Sequence, residues 1–345
     1  MNKIKDSLYG FVVGDALGVP VEFRSRIYLR DNPVTEMIGY GSHRVPPGVW
    51  SDDTSMTLAT MDSIIKTKTI NYNDMADRFC SWKNNSEYTA VGVVFDVGIT
   101  TKTALNYYQI SFDAINCGLT GIENNGNGSL MRMLPIVFYC YYKQSNNSEI
   151  LEIVSKTSCI THAHEISIMG CYIYVHYLIN LLQGKNKIES YKIIQKLDYS
   201  MFKEETQKVY NRIIKEDISA LDESDIESTG YVVSTLEACL WTVLKNNNLK
   251  DTILTAVNLG NDTDTVGAIT GSIAGMIYNY NEIPESWIDK LENKEYLDKI
   301  IDEFNDVFSE LFNNDPVNNN TSSQMLVGNS NNNLKNKNCS CGSVM

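Results

Sequence analysis

Apolar residues recur at helical spacing along most of this chain, and this periodicity limits its fold more than any other feature. At the start they fall at positions i, i+4, i+7 and i+8, on one face of a helix: Ile4, Leu8, Phe11 and Val12. We predict further helices in residues 51–65, 165–182, 232–244, 253–259, 267–278 and 289–312. The alternation of apolar and polar residues that is typical of strands is nearly absent. The sequence therefore predicts an all-α fold of a dozen or more helices around one core.

The composition is that of a folded domain followed by a different kind of segment. The 345 residues are 43% hydrophobic and 10% aromatic, which is enough apolar material for a large core. Residues 313–345 contain 11 asparagines in 33 positions, so they cannot bury enough surface to offset their ordering entropy. We predict one domain, residues 1–312, and a disordered Asn-rich tail, residues 313–345.

The charge and the cysteines exclude several classes of protein. With 29 Lys and Arg against 42 Asp and Glu, the formal net charge is −13, which disfavours binding to nucleic acid or to an anionic membrane. No uninterrupted apolar run reaches 18 residues, and an early aspartate interrupts any signal peptide. The eight cysteines are scattered without a Cys-x-x-Cys pair, as in a reducing compartment. We expect a cytoplasmic monomer.

Carboxylates are concentrated in two short segments where helices are predicted to begin. These are residues 46–54 (PPGVWSDDT) and 259–267 (LGNDTDTVG), each with two aspartates beside hydroxyl side chains. One interpretation is an ordinary helix N-cap, but a cap needs a single acceptor. Two unit charges ~4 Å apart repel by about 4 kcal/mol at an effective dielectric near 20, and a hard divalent cation would relieve that repulsion. Because neither segment contains Cys or His, the second interpretation is a dinuclear site for Mg²⁺ or Mn²⁺.

Three other segments carry weaker signals. Residues 124–132 (NNGNGSLMR) could present backbone N–H groups to an anion, or could form an ordinary turn. Residues 161–165 (THAHE) hold two of the four histidines, and His162 could bind a ligand or play a structural part. Asp96 lies in the apolar stretch 93–98, where a carboxylate is costly unless it is hydrogen-bonded, caps a helix or acts as a base.

Taken in order, these segments resemble the ADP-ribosylglycohydrolase family, and particularly its bacterial dinitrogenase-reductase-activating glycohydrolases. The resemblance extends over about residues 4 to 280. It rests on residues 14–18 (GDALG), 21–23 (VEF), 50–54 (WSDDT), 96–98 (DVG), 126–132 (GNGSLMR), 161–162 (TH) and 260–265 (GNDTDT).

The resemblance implies a compact multi-helix orthogonal bundle with a cleft that holds two Mg²⁺ or Mn²⁺ ions. It implies metal ligands from both carboxylate segments: Ser51, Asp52, Asp53, Asp262, Asp264 and Thr265. Asp96 matches the expected catalytic base, and Glu22 matches a glutamate that gates or contacts the site. The implied ADP-ribose-binding residues are Asn127, Gly128, Ser129, Met131 and His162.

The resemblance also implies an activity. We expect a metal-dependent hydrolase that releases ADP-ribose from a modified side chain, with an ADP-ribosylated protein as its partner. Two alternatives are hydrolysis of a small ADP-ribosyl compound such as O-acetyl-ADP-ribose, and a non-catalytic relative that binds ADP-ribose.

Overall fold

A computed structural model describes residues 2–313 of the chain, and this part is built from sixteen α-helices. Between residues 2 and 313 the only β-type pairings are two isolated bridges, Leu119 with His162 and Gly126 with Tyr231. The helices are α1 (Lys3–Gly18), α2 (Arg26–Asp31), α3 (Asp52–Thr67), α4 (Tyr72–Asn85), α5 (Ile99–Ser111), α6 (Leu134–Tyr142), α7 (Asn147–Cys159), α8 (Glu165–Leu182), α9 (Lys187–Ile194), α10 (Glu204–Val209), α11 (Asn211–Lys215), α12 (Val232–Lys245), α13 (Leu249–Asn258), α14 (Thr263–Tyr278), α15 (Glu285–Ile288) and α16 (Lys294–Asn313). The predicted all-α class is confirmed.

Helix α1 is the central element of the bundle. The sequence predicts one apolar face for it, but the structure buries every residue from Asp6 to Gly18, polar ones included. Glycines make this possible, because α14 can approach the backbone of α1 where no side chain intervenes. The prediction of a one-faced helix was therefore wrong for α1.

The contact between α1 and α14 is a backbone-to-backbone contact. A Cβ atom at Gly10 would lie 2.1 Å from the carbonyl oxygen of Gly271, and one at Gly14 would lie 2.0 Å from that of Gly267. Position increases along α1 as it decreases along α14, so the helices run antiparallel. The C-terminal end of α1 therefore meets the N-terminal end of α14, where the Thr263 hydroxyl donates to the Gly18 carbonyl oxygen at 2.8 Å.

Most predicted helices occur where the pattern placed them. Helix α8 has the predicted bounds, and α3 begins directly after Ser51 as the hydroxyl and carboxylate cluster indicates. Three predicted starts were wrong, and one of them is that of α14, which begins at Thr263 and not at the predicted Gly267. Helix α13 begins earlier, at Leu249, after the N-cap Asn248, and α16 begins later, at Lys294, because the left-handed Asn293 (φ 50°) interrupts the helical backbone.

Two further predictions concern a membrane and the tail. Among the described residues, helix α8 is long and apolar enough to cross a membrane by length and composition, although no uninterrupted apolar run is present. Within the fold 83% of that stretch is buried, as in the core helix of a globular domain.

The predicted Asn-rich tail lies outside the described residues, apart from Asn313 at the end of α16.

Replacing Gly14 by alanine should destabilise the fold, because the new methyl group would lie 2.0 Å from the Gly267 carbonyl oxygen. We expect the free energy of unfolding in urea to fall by about 3 kcal/mol. Gly98→Ala is the matched control, since Gly98 has φ −54° and its new methyl group would be 3.7 Å from the nearest atom. Equal unfolding midpoints for the two variants would contradict this account.

Candidate active site

The first carboxylate segment is attached to α1 by a buried aspartate. The carboxylate of Asp15 accepts hydrogen bonds from the backbone N–H groups of Ser51 and Thr54, both at 3.0 Å, and from the Thr54 hydroxyl at 2.6 Å. Burial raises the pKa of Asp15 to about 6, and these hydrogen bonds oppose the rise. Asp15 thus supplies acceptors to buried N–H groups at the start of α3 that have no partner within the helix, and it fixes that helix end against α1.

The second carboxylate segment is attached to the loop that carries Glu22. The Phe23 N–H donates to the Asn261 carbonyl oxygen, and the Asn261 N–H donates to that of Arg24, each at 2.7 Å. Gly260 has φ 82°, and a Cβ atom there would lie 2.6 Å from the Arg26 nitrogen, so this close approach requires glycine. The two loops therefore form one rigid unit, which places the Glu22 carboxylate beside α14.

The two carboxylate segments, about 200 residues apart in the sequence, meet at one point. The Asp53 carboxylate accepts hydrogen bonds from the Ser51 hydroxyl at 3.0 Å and from the Thr265 hydroxyl at 3.3 Å. Carboxylate oxygens of Glu22, Asp262 and Asp264 lie within 4.8 Å of one another. The structure therefore brings together the residue groups that the sequence predicts as metal ligands.

We call the meeting point of the Glu22, Asp52, Asp53, Asp262 and Asp264 carboxylates the carboxylate junction. Hydrogen bonds alone do not compensate its negative charges. Burial raises the pKa of Asp52, Asp53 and Asp264 well above the ordinary value, and neighbouring carboxylates add to the effect. One buried oxygen on Asp53 and one on Asp264 have no hydrogen-bond partner among the described residues. Unpaired buried carboxylate oxygens are costly, and together with nearby hydroxyls they are the ligands that hard divalent cations prefer. The donor set therefore fits Mg²⁺ or Mn²⁺.

A histidine that the sequence analysis missed contacts Glu22. The His43 imidazole is hydrogen-bonded to the Glu22 carboxylate through Nε2, and the centroid of its ring lies 4.9 Å from the centroid of the Phe95 ring. Burial raises the pKa of Glu22 to about 7, while His43 opposes the rise. No spacing in the sequence links His43 to Glu22, because the pair forms only when two loops meet.

Asp96 joins the same group of side chains. It has a left-handed backbone (φ 52°), which is uncommon for a residue other than glycine, and it lies within 4.8 Å of Glu22 and His43 measured between potential ligand atoms. Burial raises the pKa of Asp96, and His43 opposes the rise. The Asp96 carboxylate therefore lies beside the carboxylate junction, next to Glu22.

The Gly-rich segment forms the opposite side of the site. Its central residues form a 3₁₀ turn, Asn127–Ser129. The Asn127 side-chain amide donates to the Asp262 carboxylate at 2.7 Å and to the Thr235 hydroxyl at 2.9 Å, which ties the turn to one of the predicted metal ligands. The Ser129 hydroxyl instead lies within hydrogen-bonding distance of Ser158 (2.9 Å) and Cys171 (3.4 Å), in the interior. The structure therefore does not bring the Ser129 side chain to the ligand-facing surface.

His162 lies against this turn. A Cβ atom at Gly128 would be 2.8 Å from the imidazole Cε1, so only glycine leaves room for the ring. Burial, assisted by the nearby Arg132, lowers the pKa of His162 to about 3. The imidazole is therefore neutral at physiological pH.

One cavity of about 490 Å³ connects these groups. Nine of the predicted residues line it: Glu22, Asp52, Asp96, Asn127, Gly128, Met131, His162, Asp262 and Thr265. Ser51, Asp53 and Asp264 lie buried beneath it. The lining also includes residues that the sequence analysis missed, among them Thr101, Glu123 and Gly230. They belong to no recognisable pattern, because only the packing of their loops brings them to the cavity.

Comparison with known proteins identifies relatives over nearly the whole chain. A family model described as ADP-ribosylglycohydrolase matches residues 1–315. The ADP-ribosylarginine hydrolase Tri1 of Serratia proteamaculans is 31% identical over 306 residues, covering 88% of this chain and 79% of the relative. The ADP-ribosyl-(dinitrogen reductase) glycohydrolase of Rhodospirillum rubrum is 27% identical over 288 residues, covering 83% of this chain and 88% of the relative.

The fold has a counterpart among solved structures as well. The structure of an ADP-ribosylglycohydrolase-related protein complex superposes with a TM-score of 0.73 at 26% sequence identity, covering 89% of this chain and 98% of that one. The resemblance inferred from the motifs is thereby confirmed. The chain belongs to the ADP-ribosylglycohydrolase family, hydrolases that cleave the glycosidic bonds of ADP-ribose.

Proposed function

We propose that this protein is a metal-dependent hydrolase that releases ADP-ribose from a modified protein side chain. The observation that carries the proposal is the juxtaposition, in one cavity, of a buried carboxylate junction with a Gly-rich turn and a neutral histidine. The junction is suited to cations and the opposite wall to an anionic ligand. This arrangement supports a substrate that has both a diphosphate and a ribose whose C1″ bond is to be broken.

The acceptor that we propose is arginine. The relative from Serratia proteamaculans is named an ADP-ribosylarginine hydrolase, which supports this choice. The cavity supports it as well, because the carboxylates of Glu22, Asp96 and Glu123 line it and would attract a cationic guanidinium. The acetyl ester of O-acetyl-ADP-ribose carries no positive charge and would gain nothing from these carboxylates.

We assign the binding of two divalent cations, Mg²⁺ or Mn²⁺, to the two carboxylate segments. The residues that would hold them are Ser51, Asp52, Asp53, Asp262, Asp264 and Thr265. Bound there, such ions would orient ribose hydroxyls and lower the pKa of a coordinated water. The unpartnered oxygens of Asp53 and Asp264 support this assignment, because a cation would satisfy both.

Asp96 is our choice for the general base, which takes a proton from the attacking water as the glycosidic bond breaks. It lines the cavity, and its raised pKa makes its carboxylate a stronger base than an exposed aspartate. Glu22 is the second choice. Its carboxylate is held by His43, which restricts its orientation.

An assay with three substrates tests the proposed function. ADP-ribosyl-arginine peptide, ADP-ribosyl-serine peptide and O-acetyl-ADP-ribose should each be incubated with Mg²⁺ or Mn²⁺ and with EDTA, and free ADP-ribose measured by chromatography. We expect release from the arginine peptide only when the metal is present. Turnover of O-acetyl-ADP-ribose alone would support the small-compound alternative. Binding of ADP-ribose without turnover of any substrate would identify a non-catalytic relative.

Asp264→Asn should weaken Mn²⁺ binding and turnover together, because it removes both a charge and a ligand oxygen. We expect the affinity for Mn²⁺ in titration calorimetry to fall at least about tenfold. Asp251→Asn is the control, since Asp251 lies in the first turn of another helix, α13, away from the cavity. If Asp264→Asn bound Mn²⁺ as the wild type does, the metal assignment would be wrong.

Asp96→Asn keeps the size of the side chain and removes its basicity. We expect kcat to fall by about 10²–10⁴, with Mn²⁺ and ADP-ribose affinities close to those of the wild type. Asp113→Asn, in the loop after α5, should leave kcat unchanged. Normal turnover of Asp96→Asn would exclude it as the base and direct attention to Glu22.

A further inference from the structure

Arg132 is a fully buried arginine without a carboxylate partner among residues 2–313. Its side chain donates to the Gly128 carbonyl oxygen at 2.5 Å, to the Thr157 carbonyl oxygen at 3.3 Å and to the Thr161 hydroxyl at 2.8 Å. Burial lowers its pKa to about 10, so it remains a cation at neutral pH. Burying a cation is costly, and among the described residues it is offset by neutral acceptors and by the Phe79 ring, whose centroid lies 4.9 Å from the guanidinium carbon. Because burying this charge costs free energy, we looked for a role of Arg132 beyond packing.

The Thr161 hydroxyl connects Arg132 to His162. Its oxygen lies 2.8 Å from a guanidinium nitrogen of Arg132 and 2.7 Å from the imidazole Nδ1 of His162. A guanidinium can only donate, so the hydroxyl accepts from Arg132 and retains one proton of its own. If Nδ1 also donated to this oxygen, the hydroxyl proton would have no acceptor among the described residues, although Thr161 is fully buried. The arrangement that satisfies every group has Thr161 donating to Nδ1.

The other ring nitrogen, Nε2, faces the cavity. His162 lines the cavity, and a Cβ atom placed on Gly126 would lie 3.5 Å from its Nε2. No described protein atom makes a hydrogen bond to Nε2. A neutral imidazole carries one N–H, and if Nδ1 is an acceptor that N–H is at Nε2. The ring then offers the cavity a single donor.

We propose that Arg132 and Thr161 are positioning residues that hold His162 in its Nε2–H tautomer, which commits the ring to donate to an oxygen of the bound substrate. Arg132 also fixes the distance between this donor and the Gly-rich turn, since it binds Gly128 and Thr161 at once. The site thereby selects a ligand with a phosphate or hydroxyl oxygen at this position. This inference rests on the proposed function only for the identity of that ligand.

Thr161→Val tests the inference, because valine keeps the shape of threonine and removes the hydroxyl. Nitrogen-15 NMR of the histidine side chains in the wild type should show His162 protonated at Nε2. Thr161→Val should populate the Nδ1–H form, and the control Thr161→Ser should keep the wild-type tautomer. An Nδ1–H tautomer in the wild type, or an unchanged tautomer in Thr161→Val, would overturn the proposal.

Binding of ADP-ribose, measured by calorimetry, provides the second readout. Thr161→Val should bind about tenfold more weakly, as expected for a lost hydrogen bond. His162→Gln places an amide N–H near the position of Nε2 without any tautomer, so in that background Thr161→Val should cost nothing more. An equal loss in both backgrounds would mean that Thr161 acts only through packing and would refute the positioning role. If the wild type binds no ADP-ribose, the proposed function fails, while the NMR result still decides the inference.

Discussion

The close contact between α1 and α14 is the interaction on which the rest of the structure depends. Gly10 and Gly14 of one helix meet Gly271 and Gly267 of the other, so the two backbones approach as no larger residues would allow. The antiparallel course of this pair brings the start of α14, with its aspartates, to the end of α1. From the same end of α1, Asp15 holds the start of α3. One helix pair therefore carries both carboxylate segments to the same place.

The resulting junction is unfavourable by itself. Several carboxylates share a buried volume, and burial together with mutual repulsion raises their pKa values. Asp52 and Asp53 lie in the first turn of α3 and Asp264 lies in that of α14. The N–H groups and the dipole at a helix start favour negative charge, but they offset only part of the repulsion. A site that retains such charges, with unpartnered oxygens on Asp53 and Asp264, is organised to receive cations.

The opposite wall explains how an acidic protein can accept an anionic ligand. The Gly-rich turn, Arg132 and His162 form a second unit, which contributes neutral donors and one buried cation. Asn127 links the two units, because its amide donates to Asp262 while its backbone belongs to the turn. Opposite electrostatic preferences thus lie on two sides of one cavity, which suits a substrate with a diphosphate at one end and a ribose at the other.

The sequence by itself determined the helical class, the approximate position of seven of the sixteen helices between residues 2 and 313, and the family. Apolar periodicity reports which face of an element is buried, and clusters such as Ser51–Asp53 report where a helix begins, because both are local properties of the chain. Only the tertiary structure decided which local features meet. It paired Glu22 with His43, turned the Ser129 hydroxyl into the interior and buried α1 on all sides, and it joined Arg132 to His162 through Thr161. These outcomes depend on contacts between residues far apart in the sequence and on side-chain direction, and neither leaves a periodic trace in the sequence.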